Sequence, residues 1–462
     1  MRTIIHDQLS FVEPTVVSHP HARELEKIGE LIAEHPEIAR LVHADLIRGL
    51  ADPQKGREGK MTADQLFRSM QVKQMNGFSY EVLAYHLEDS RTYSSFCGFG
   101  IGDKIPSVST LQRDFKKVRS ETLETINRLL IMTAAAKGIE KGRKVRVDCT
   151  VVESDIHDPK DSSLLGDGVR VLARLVGRAI KTFGLAIDFV DHTRRAKRRA
   201  LGVANAKNMK ARKKPYRDLL SVTGNTVDYA RGAVASLHDL VLSGKARALK
   251  GAAADAAEEL RDIVSLTERV IAQTERRVFR GEKVPAEEKV FSIFESHTDI
   301  IRKDRRGTYY GHKVVLTGGA SGLFTDLVVL KGNPADSTLA VDMIERQKEI
   351  YQRVPLKAAF DGGFASKENL VDIKELGVRD VCFHKKRGLE ISEMVKSTWV
   401  YKRLKDFRAG IEGMISYLKR CFGLRRCTWH GLESFHAYAW SSVVTANLLL
   451  MARHLLPSSG AG

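Results

Sequence analysis

VRVDCTVV, residues 145–152, is the first stretch of the chain with the alternation of apolar and polar side chains that is typical of a half-buried β-strand. The apolar face of the predicted strand carries Val145, Val147, Cys149 and Val151. Asp148 and Thr150 fall on the other face, so the Asp148 carboxylate can project from the sheet while its neighbours pack. Glu153 and Asp155 follow closely and are rival acids. We favour Asp148 as a ligand because the geometry of the strand fixes its direction.

The chain has helical periodicity on both sides of this strand. It is helical from about 20 to 140, with short polar breaks, and again between about 168 and 290. We therefore predict an N-terminal helical domain over 1–140 and a helical insertion over 168–290. The core is then formed by 141–167 together with 291–456. Two to three folding units are expected for a chain of 462 residues.

Helix signals in the N-terminal region predict several short helices. Thr62 followed by Gln65 predicts a capping box that opens a helix ending at Gly77. Ser79 can cap a second helix that runs through His86.

A third short helix is predicted after Pro106, in the segment SVSTLQRDFKKV. This segment carries Arg113, Lys116 and Lys117, a basic surface of the kind that a helix-turn-helix lays in a major groove. An ordinary three-helix bundle with a solvated basic face explains the pattern equally well.

Strands resume after the insertion and then alternate with helices. YYGHKVVLT, a glycine-rich turn and LFTDLVVLKGN predict a hairpin. The next predicted elements are a helix over 337–352, the strand LKAAF before Asp361, a helix over 366–376 closed by Gly377, the strand VRDVCFH and a helix over 406–422. This order of elements resembles the ribonuclease-H-like, or integrase, fold, an α/β fold with a mixed sheet and helices on both faces.

The last of these helices places a third acid beside two cations. In FRAGIEGMISYLKRCF, residues 407–422, Glu412 lies about 40° and Lys419 about 20° around the helix axis from Arg408. The neighbouring stripe is apolar and consists of Ile411, Ile415, Leu418 and Phe422. Packing that stripe on the sheet would turn Glu412 toward the strand acids, and the cations beside it can hold phosphate.

Asp148, Asp361 and Glu412 together suit the transfer of a phosphodiester. Two divalent ions about 3.5–4 Å apart can stabilise charge on the attacking and leaving oxygens, and Mg²⁺ prefers oxygen ligands with only a few carboxylates. Gly362 and Gly363 follow Asp361 and leave room for an ion and a phosphate. Each acid alone could be ion-paired, turn-capping or solvated. Their joint placement predicts three catalytic carboxylates that hold two Mg²⁺ or Mn²⁺ ions.

The charge balance indicates a polyanionic partner. Lys and Arg number 75 against 57 Asp and Glu, which leaves a net charge of +18. Nucleic acid is the default partner for such an excess, although solubility or an acidic protein partner would also explain it. From Arg194 to Arg217, eleven residues are Lys or Arg and none is acidic. We favour a DNA-contacting surface there, with Arg198 and Lys213 as candidates, over a solvated arm.

Cysteine usage and apolar segments indicate a cytoplasmic protein. The five cysteines show no CxxC spacing, and zinc at Cys421, Cys427 and His430 is disfavoured because small buried thiols are commoner. Residues 1–14 lack the apolar core and cleavage site of a signal peptide. The apolar stretch 437–456 is interrupted by polar residues, so it predicts a buried helix and no membrane span.

At the predicted acids the sequence resembles the DDE transposases of bacterial insertion sequences, and it is most similar to the ISNCY group among them. The resemblance rests on the segments LFRSMQVKQMNGFSYEVLAYHL, VRVDCTVVESDIHDPKDSSLLGDGVRVL, AAFDGGFASKENL and RAGIEGMISYLKR. It implies a ribonuclease-H-like core, Mg²⁺, and cleavage and joining of double-stranded DNA at the element's terminal inverted repeats and at a target. It also implies a homodimer or higher oligomer on DNA, in the bacterial nucleoid.

The resemblance also assigns individual residues. The three acids of the family correspond to Asp148, Asp361 and Glu412. The related Tyr-Arg-Glu-Lys signature corresponds to Arg408, Glu412 and Lys419, which makes the two cations candidates for positioning DNA, but its tyrosine is replaced by Lys405. Relatives often insert a domain between the second and third acids. In this chain only 50 residues lie between them, and the long gap lies between the first two.

Two other functions remain open from the sequence. A related nuclease would hydrolyse DNA without joining it. A DNA-binding regulator derived from a transposon would leave the three acids idle.

Overall fold

A computed structural model of the chain describes residues 19–52, 61–100, 102–243, 250–302, 307–385 and 387–457. Within these ranges helices predominate and accompany one mixed sheet. The chain divides into two compact units, one made of Met1–Asp155 with Ile301–Gly462 and one made of Ile156–Ile300. The segment 1–14, where the sequence predicts no signal peptide, lies outside the described residues.

Among the described residues, seven helices precede the sheet. They are α1 (Pro20–Ala33), α2 (Pro36–Ile47), α3 (Ala63–Asn76), α4 (Tyr80–Asp89), α5 (Arg91–Phe96), α6 (Val108–Phe115) and α7 (Ser120–Ala136). The predicted capping box is confirmed, because Thr62 and Gln65 each accept a hydrogen bond from the other's backbone N–H. Gly77 ends α3 in the left-handed conformation, with φ of 64°. Ser79 caps α4, which continues past His86 to Asp89.

The sheet is built on a long central strand. Its strands are β1 (Lys144–Ser154), β2 (Asp299–Arg302), β3 (Thr308–Gly318), β4 (Phe324–Val329), β5 (Lys357–Phe360), β6 (Asp380–Phe383) and β7 (Arg426–Cys427). They lie in the order β2–β3–β1–β5–β6, with β4 paired to β3 and β7 paired to β1. β1 is antiparallel to β3 and parallel to β5, and β5 is parallel to β6. The predicted mixed sheet is therefore confirmed, and β1 has a partner on each side.

The unit Ile156–Ile300 is helical and has its own apolar core. It contains α8 (Asp161–Phe183), α9 (Thr193–Ala204), α10 (Met209–Ser243), α11 (Lys250–Thr274) and a π-helical turn (Glu275–Phe279). Leu164, Val290 and Ile293 are buried in this core. The compact unit consequently extends beyond the predicted insertion 168–290 on both sides.

Five further helices follow the insertion, and both faces of the sheet are buried. They are α12 (Ala340–Tyr351), α13 (Lys367–Glu375), α14 (Ile391–Met394), α15 (Thr398–Cys421) and α16 (Leu432–Leu455). The predicted apolar stripe of α15 is buried in one cluster with Val314 and Leu316 of β3. Val145 and Val147 of β1 belong to a second cluster, with residues of α12 and α13.

Two helix starts differ from the prediction. α15 begins at Thr398 and not near 406, because the Ser397 hydroxyl accepts a hydrogen bond from the backbone N–H of Val400 and caps it. The helix expected from 337 opens as a 3-10 turn, Asp336–Leu339, and becomes α-helical at Ala340. In both places the apolar periodicity predicts the helix correctly, but it does not predict the residue at which the helix starts.

α16 is buried along most of its length, as predicted for 437–456. It packs against α1, α3, α7 and β4. Within the part of the chain that the structure describes, no helix is long and apolar enough to cross a membrane.

A buried polar network fixes the register of α16. Asn447 Nδ2 donates to Asn127 Oδ1 at 2.8 Å and to the Phe324 carbonyl at 2.7 Å, while its Oδ1 accepts from the Phe324 N–H at 2.9 Å. One turn earlier, Gln74 Nε2 donates to Ser442 Oγ at 2.8 Å. Because each of these groups is buried, sliding α16 would leave several of them without partners.

Replacing Asn447 with leucine should lower the free energy of unfolding by about 2–4 kcal/mol, because both backbone groups of Phe324 and the Asn127 amide lose a partner in a dry site. Denaturant unfolding would measure the change. The matched control is Ser441→Ala, since the buried Ser441 hydroxyl has no hydrogen-bond partner among the described residues. Equal losses for the two variants would contradict the assigned role of the network.

Lys73 of α3 is a buried cation whose environment disfavours its charge. Its ammonium lies 4.7 Å from the centroid of the Tyr80 ring. Burial lowers the pKa of Lys73 from 10.5 to about 8, and the nearby Glu81 carboxylate offsets only part of this effect. Below pH 8 the folded chain holds this charge at a cost. As the pH rises from about 8 to 10.5 the unfolded chain binds more protons at this group than the folded chain, so the cost disappears.

Lys73→Met should therefore raise the free energy of unfolding at pH 7 by about 1–3 kcal/mol. The difference between the variant and the wild type should shrink as the pH rises from about 8 toward 10.5. Unfolding both proteins at pH 7 and pH 10 would measure it. A difference that is the same at both pH values would show that the Lys73 charge is not the cause.

Candidate active site

Three elements of the sheet unit bring the predicted acids together. Asp148 lies on β1, opposite Leu316 of β3. Asp361 is the first residue after β5, and β5 runs parallel to β1 with Phe360 paired to Val147. The register of this parallel pair therefore places Asp148 and Asp361 side by side. Glu412 comes from α15, which packs on β1 and β5.

A single guanidinium, that of Arg408, contacts all three acids. Its Nη2 lies 2.9 Å from Asp148 Oδ2 and 3.3 Å from Asp361 Oδ1, and its Nη1 lies 2.8 Å from Glu412 Oε1. The Arg408 side chain is only 7% exposed, whereas Glu412 is 65% exposed. The site is thus closed at Asp148 and open to solvent at Glu412.

Gly410 of α15 faces the Arg146 side chain of β1. Arg146, two residues before Asp148 on the same face, donates from Nη1 to the Phe407 carbonyl at 2.8 Å. Its guanidinium also lies over the Phe407 ring, 4.5 Å from the centroid. A Cβ at position 410 would stand 2.2 Å from that same Nη1. A side chain at this position would therefore displace the Arg146 guanidinium from its place against Phe407.

The half-buried Asp336 carboxylate lies against the turn after Asp361. Lys313 of β3 forms an ion pair with Asp336 at 2.5 Å, and the Cys149 thiol also hydrogen-bonds Asp336. Burial, followed by the charge of Asp336, raises the pKa of Cys149, so the thiol stays protonated. A Cβ at Gly363 would stand 2.4 Å from the Asp336 carboxylate. The turn after Asp361 therefore packs against the Asp336 carboxylate, which is hydrogen-bonded to Cys149, the residue that follows Asp148.

The rival acids lie at the far end of β1. Glu153 and Asp155 both approach Arg426, at 4.0 Å and 3.7 Å. Glu153 lies five positions after Asp148 along the strand, which corresponds to about 16 Å. The ion pairs of Arg408 are with Asp148, Asp361 and Glu412.

Lys419 and Lys405 flank the site on α15. Lys419 Nζ donates to the Val151 carbonyl of β1 at 2.8 Å, so this lysine contacts the strand beyond Asp148. Lys405, at the position where the resembling family has tyrosine, is exposed. Lys419 is therefore fixed against β1, whereas Lys405 lies on the exposed surface of α15.

The basic residues predicted around α6 are only partly on that helix. α6 ends at Phe115, so Lys116 is its C-cap and Lys117 lies beyond it. Arg113 and Lys117 approach the buried carboxylate of Asp114, at 3.3 and 3.6 Å. Lys116 is exposed. The three basic residues therefore lie at the end of α6 and in the turn that follows it.

The basic block of the insertion forms α9 and the start of α10. Arg195 and Arg199 of α9 both pair with Asp218, and these arginines lower the pKa of that carboxyl group. Arg198 is exposed and Lys213 is half-buried. Part of the block is thus neutralised within its own unit, and Arg198 remains on the surface.

The three carboxylates are suitable ligands for hard divalent ions, but in the structure they surround the Arg408 guanidinium. Carboxylate oxygens are the donors that Mg²⁺ prefers. Among the described residues, no group of three or more His, Cys, Asp or Glu side chains is spaced to hold an ion directly.

Sequence reasoning missed the residues that hold the site in place. Arg146, Gly410 and Asp336 act through contacts between elements far apart in the chain. The sequence does contain a signal for Arg146. It lies two residues before Asp148, on the same face of the strand, so it places a cation beside that acid. The sequence predicts that Arg408 holds phosphate, whereas its contacts in the structure are with the three acids.

Comparison with known protein families gives two matches. Residues 270–448 match the family model described as the transposase DDE domain, and residues 17–117 match the model described as the transposase domain DUF772. The first match includes Asp361 and Glu412 but begins after Asp148. No curated protein and no solved structure matches the chain. The two family matches support an insertion-sequence transposase of the DDE type.

Gly410→Ala and Gly413→Ala form a matched pair on the same helix. A Cβ at Gly413 meets nothing within 4 Å, so alanine there should raise the free energy of unfolding by about 0.5–1 kcal/mol through helix propensity. At Gly410 the added methyl should displace Arg146 and lower it by about 1 kcal/mol instead. Denaturant unfolding of both variants would measure the difference. Equal changes would show that α15 does not depend on close contact at Gly410.

Proposed function

We propose that this chain is a DNA transposase that cleaves the ends of its element and joins them to target DNA with metal ions held by Asp148, Asp361 and Glu412. The observation that carries the proposal is the convergence of these three carboxylates, from β1, the end of β5 and α15, on one point. The matches to two transposase domains support the same reading.

The three acids would act as ligands for two Mg²⁺ or Mn²⁺ ions. When bound, such ions would supply charge stabilisation for the oxygens of the phosphodiester that is cut and rejoined. The chain's own contribution is positioning. β1 and β5 fix two carboxylates by strand register, and Glu412 closes the group from the helix. Because the enzyme does little covalent chemistry in such a reaction, positioning and electrostatics account for the rate.

Double-stranded DNA is the proposed partner, both as terminal inverted repeats and as target. Arg408, at the centre of the three acids, and Lys419, beyond Asp148 along β1, are the proposed strand-positioning residues. Arg113, Lys116 and Lys117 at the end of α6 are candidates for recognition of the element's ends. A net charge of +18 supports a polyanion as partner. A homodimer or higher oligomer on DNA would bring two element ends together.

The basic surface of the insertion is proposed to contact DNA outside the site. Arg198 is exposed on α9, and Lys213 follows at the start of α10. Because Asp218 neutralises the neighbouring Arg195 and Arg199, we assign the contact to Arg198 and Lys213 and not to the whole block.

We further propose that the sheet unit is a ribonuclease-H-like core and that the chain is of the ISNCY group. The sheet order supports the first point, since an antiparallel β4–β3–β1 set is continued by the parallel strands β5 and β6. The segments of resemblance support the second. The proposed setting is the bacterial cytoplasm, at the nucleoid.

Asp361→Ala should lower the rate of cleavage at least about 10²-fold. DNA binding should be retained or strengthened, because the variant loses a negative charge that would face the phosphates. Cleavage of a labelled duplex that carries an element end, in Mg²⁺, and a gel-shift assay on the same duplex would measure the two effects. Asp372→Ala, on the exposed side of α13, is the control and should leave both unchanged. Unchanged activity of Asp361→Ala in every assay would favour a DNA-binding regulator.

The joining step needs its own measurement. With pre-cut element ends and a supercoiled target, the transposase should yield joined products that depend on Mg²⁺ and on Asp361. Hydrolysis of the duplex without any joined product would favour a nuclease.

A further inference from the structure

The Arg408 guanidinium occupies the centre of the carboxylate site, by which we mean Asp148, Asp361 and Glu412. Its two terminal nitrogens contact one oxygen of each acid, at 2.8–3.3 Å. The remaining nitrogen, Nε, is buried and has no hydrogen-bond partner among the described residues. The side chain is therefore held at its tip by the acids and is not anchored along its stem by hydrogen bonds.

The contacts of Arg408 use the same oxygens that a divalent ion would need. An arginine is charged at any pH at which the protein is folded, so it neutralises part of the charge of the three acids. An ion bound among those oxygens would repel the guanidinium and would compete for the same lone pairs. The spacing of the acids around Arg408 also explains why they do not form a group that could hold an ion directly.

We infer that Arg408 holds the cation position of the carboxylate site in the metal-free protein, and that divalent ions bind only when its guanidinium leaves. This inference rests on the proposed function, because it takes the carboxylate site to be the metal site. Arg408 is then an internal competitor that keeps the acids assembled before the ions arrive and weakens metal binding until it is displaced.

The route of departure is set by the open side of the site. Glu412 is the most exposed of the three acids, at 65%, and an ion pair with an exposed partner contributes little. Asp148, at 14% exposed, forms the firmer contact. A guanidinium released toward solvent presents two parallel N–H donors, the geometry that binds a phosphate. The same side chain can thus pass from the acids to the DNA backbone.

Titration calorimetry with Mn²⁺ alone tests the inference on the full chain. Arg408→Gln removes the competing cation and should bind Mn²⁺ at least about tenfold more tightly than the wild type. Arg403→Gln is the matched control, since it removes one positive charge from the exposed side of the same helix, where Arg403 lies over the Trp399 ring, 5.4 Å from its centroid. The control should bind Mn²⁺ with less than about a twofold change.

A second measurement follows the assembled acids without metal. In the presence of a chelator, Arg408→Gln should melt at a lower temperature than the wild type, because the carboxylates lose their cation, and Mn²⁺ should restore more of its stability than it adds to the wild type. If Arg408→Gln does not fold, Arg408→Lys serves instead. Its single ammonium cannot bridge three acids, so its Mn²⁺ affinity should lie between those of the wild type and a variant without the cation.

The outcomes separate the two proposals. If neither the wild type nor the Arg408 variants bind Mn²⁺, the carboxylate site is not a metal site and the proposed function fails. If all of them bind Mn²⁺ equally and Asp361→Ala does not, the metal site stands and the role of Arg408 as a competitor is overturned. Equal gains for Arg408→Gln and Arg403→Gln would also overturn it, because the effect would then be one of net charge.

Discussion

Carboxylates that are drawn together repel one another, and the fold must offset that repulsion before it can use them. Two of the acids in this chain come from adjacent parallel strands, and their spacing is fixed by backbone hydrogen bonds. The third arrives on a helix. Arg408 stands on that same helix one turn before Glu412 and reaches both strand acids. The helix therefore brings the third negative charge and the neutralising cation together, so the site is never assembled without compensation.

This arrangement depends on how closely α15 can approach β1. Strand β1 presents two charged side chains to the helix, Arg146 and Asp148, where an apolar face would pack more simply. The Arg146 side chain is accommodated by the absence of a side chain at Gly410 and by its contacts with the carbonyl and ring of Phe407. Below this level the apolar stripe of α15 joins the core that contains Val314 and Leu316. Hydrophobic burial thus provides the stability, and Gly410 leaves the space that the Arg146 guanidinium occupies.

Much of this could be read from the sequence, because local patterns specify elements and faces. The alternation in 145–152 identifies a strand with Asp148 on its polar face, and the 100° period of α15 places Glu412 beside Arg408. What local patterns do not contain is the distance between elements. The contact of Arg408 with the strand acids depends on strand register, on the packing of Gly410 against Arg146, and on side chains such as Asp336 that lie elsewhere in the chain. The pattern of apolar residues likewise does not predict the register of α16, because buried amide groups set it.

The position of the large helical insertion follows from the way the central strand is held. The insertion begins beyond the residues of β1 that pair with β3 and, at Glu153 and Ser154, with β7. These last pairs lie beyond Asp148, so the strand is fixed on both sides of the acid before the insertion begins at Ile156. The inserted unit has its own apolar core.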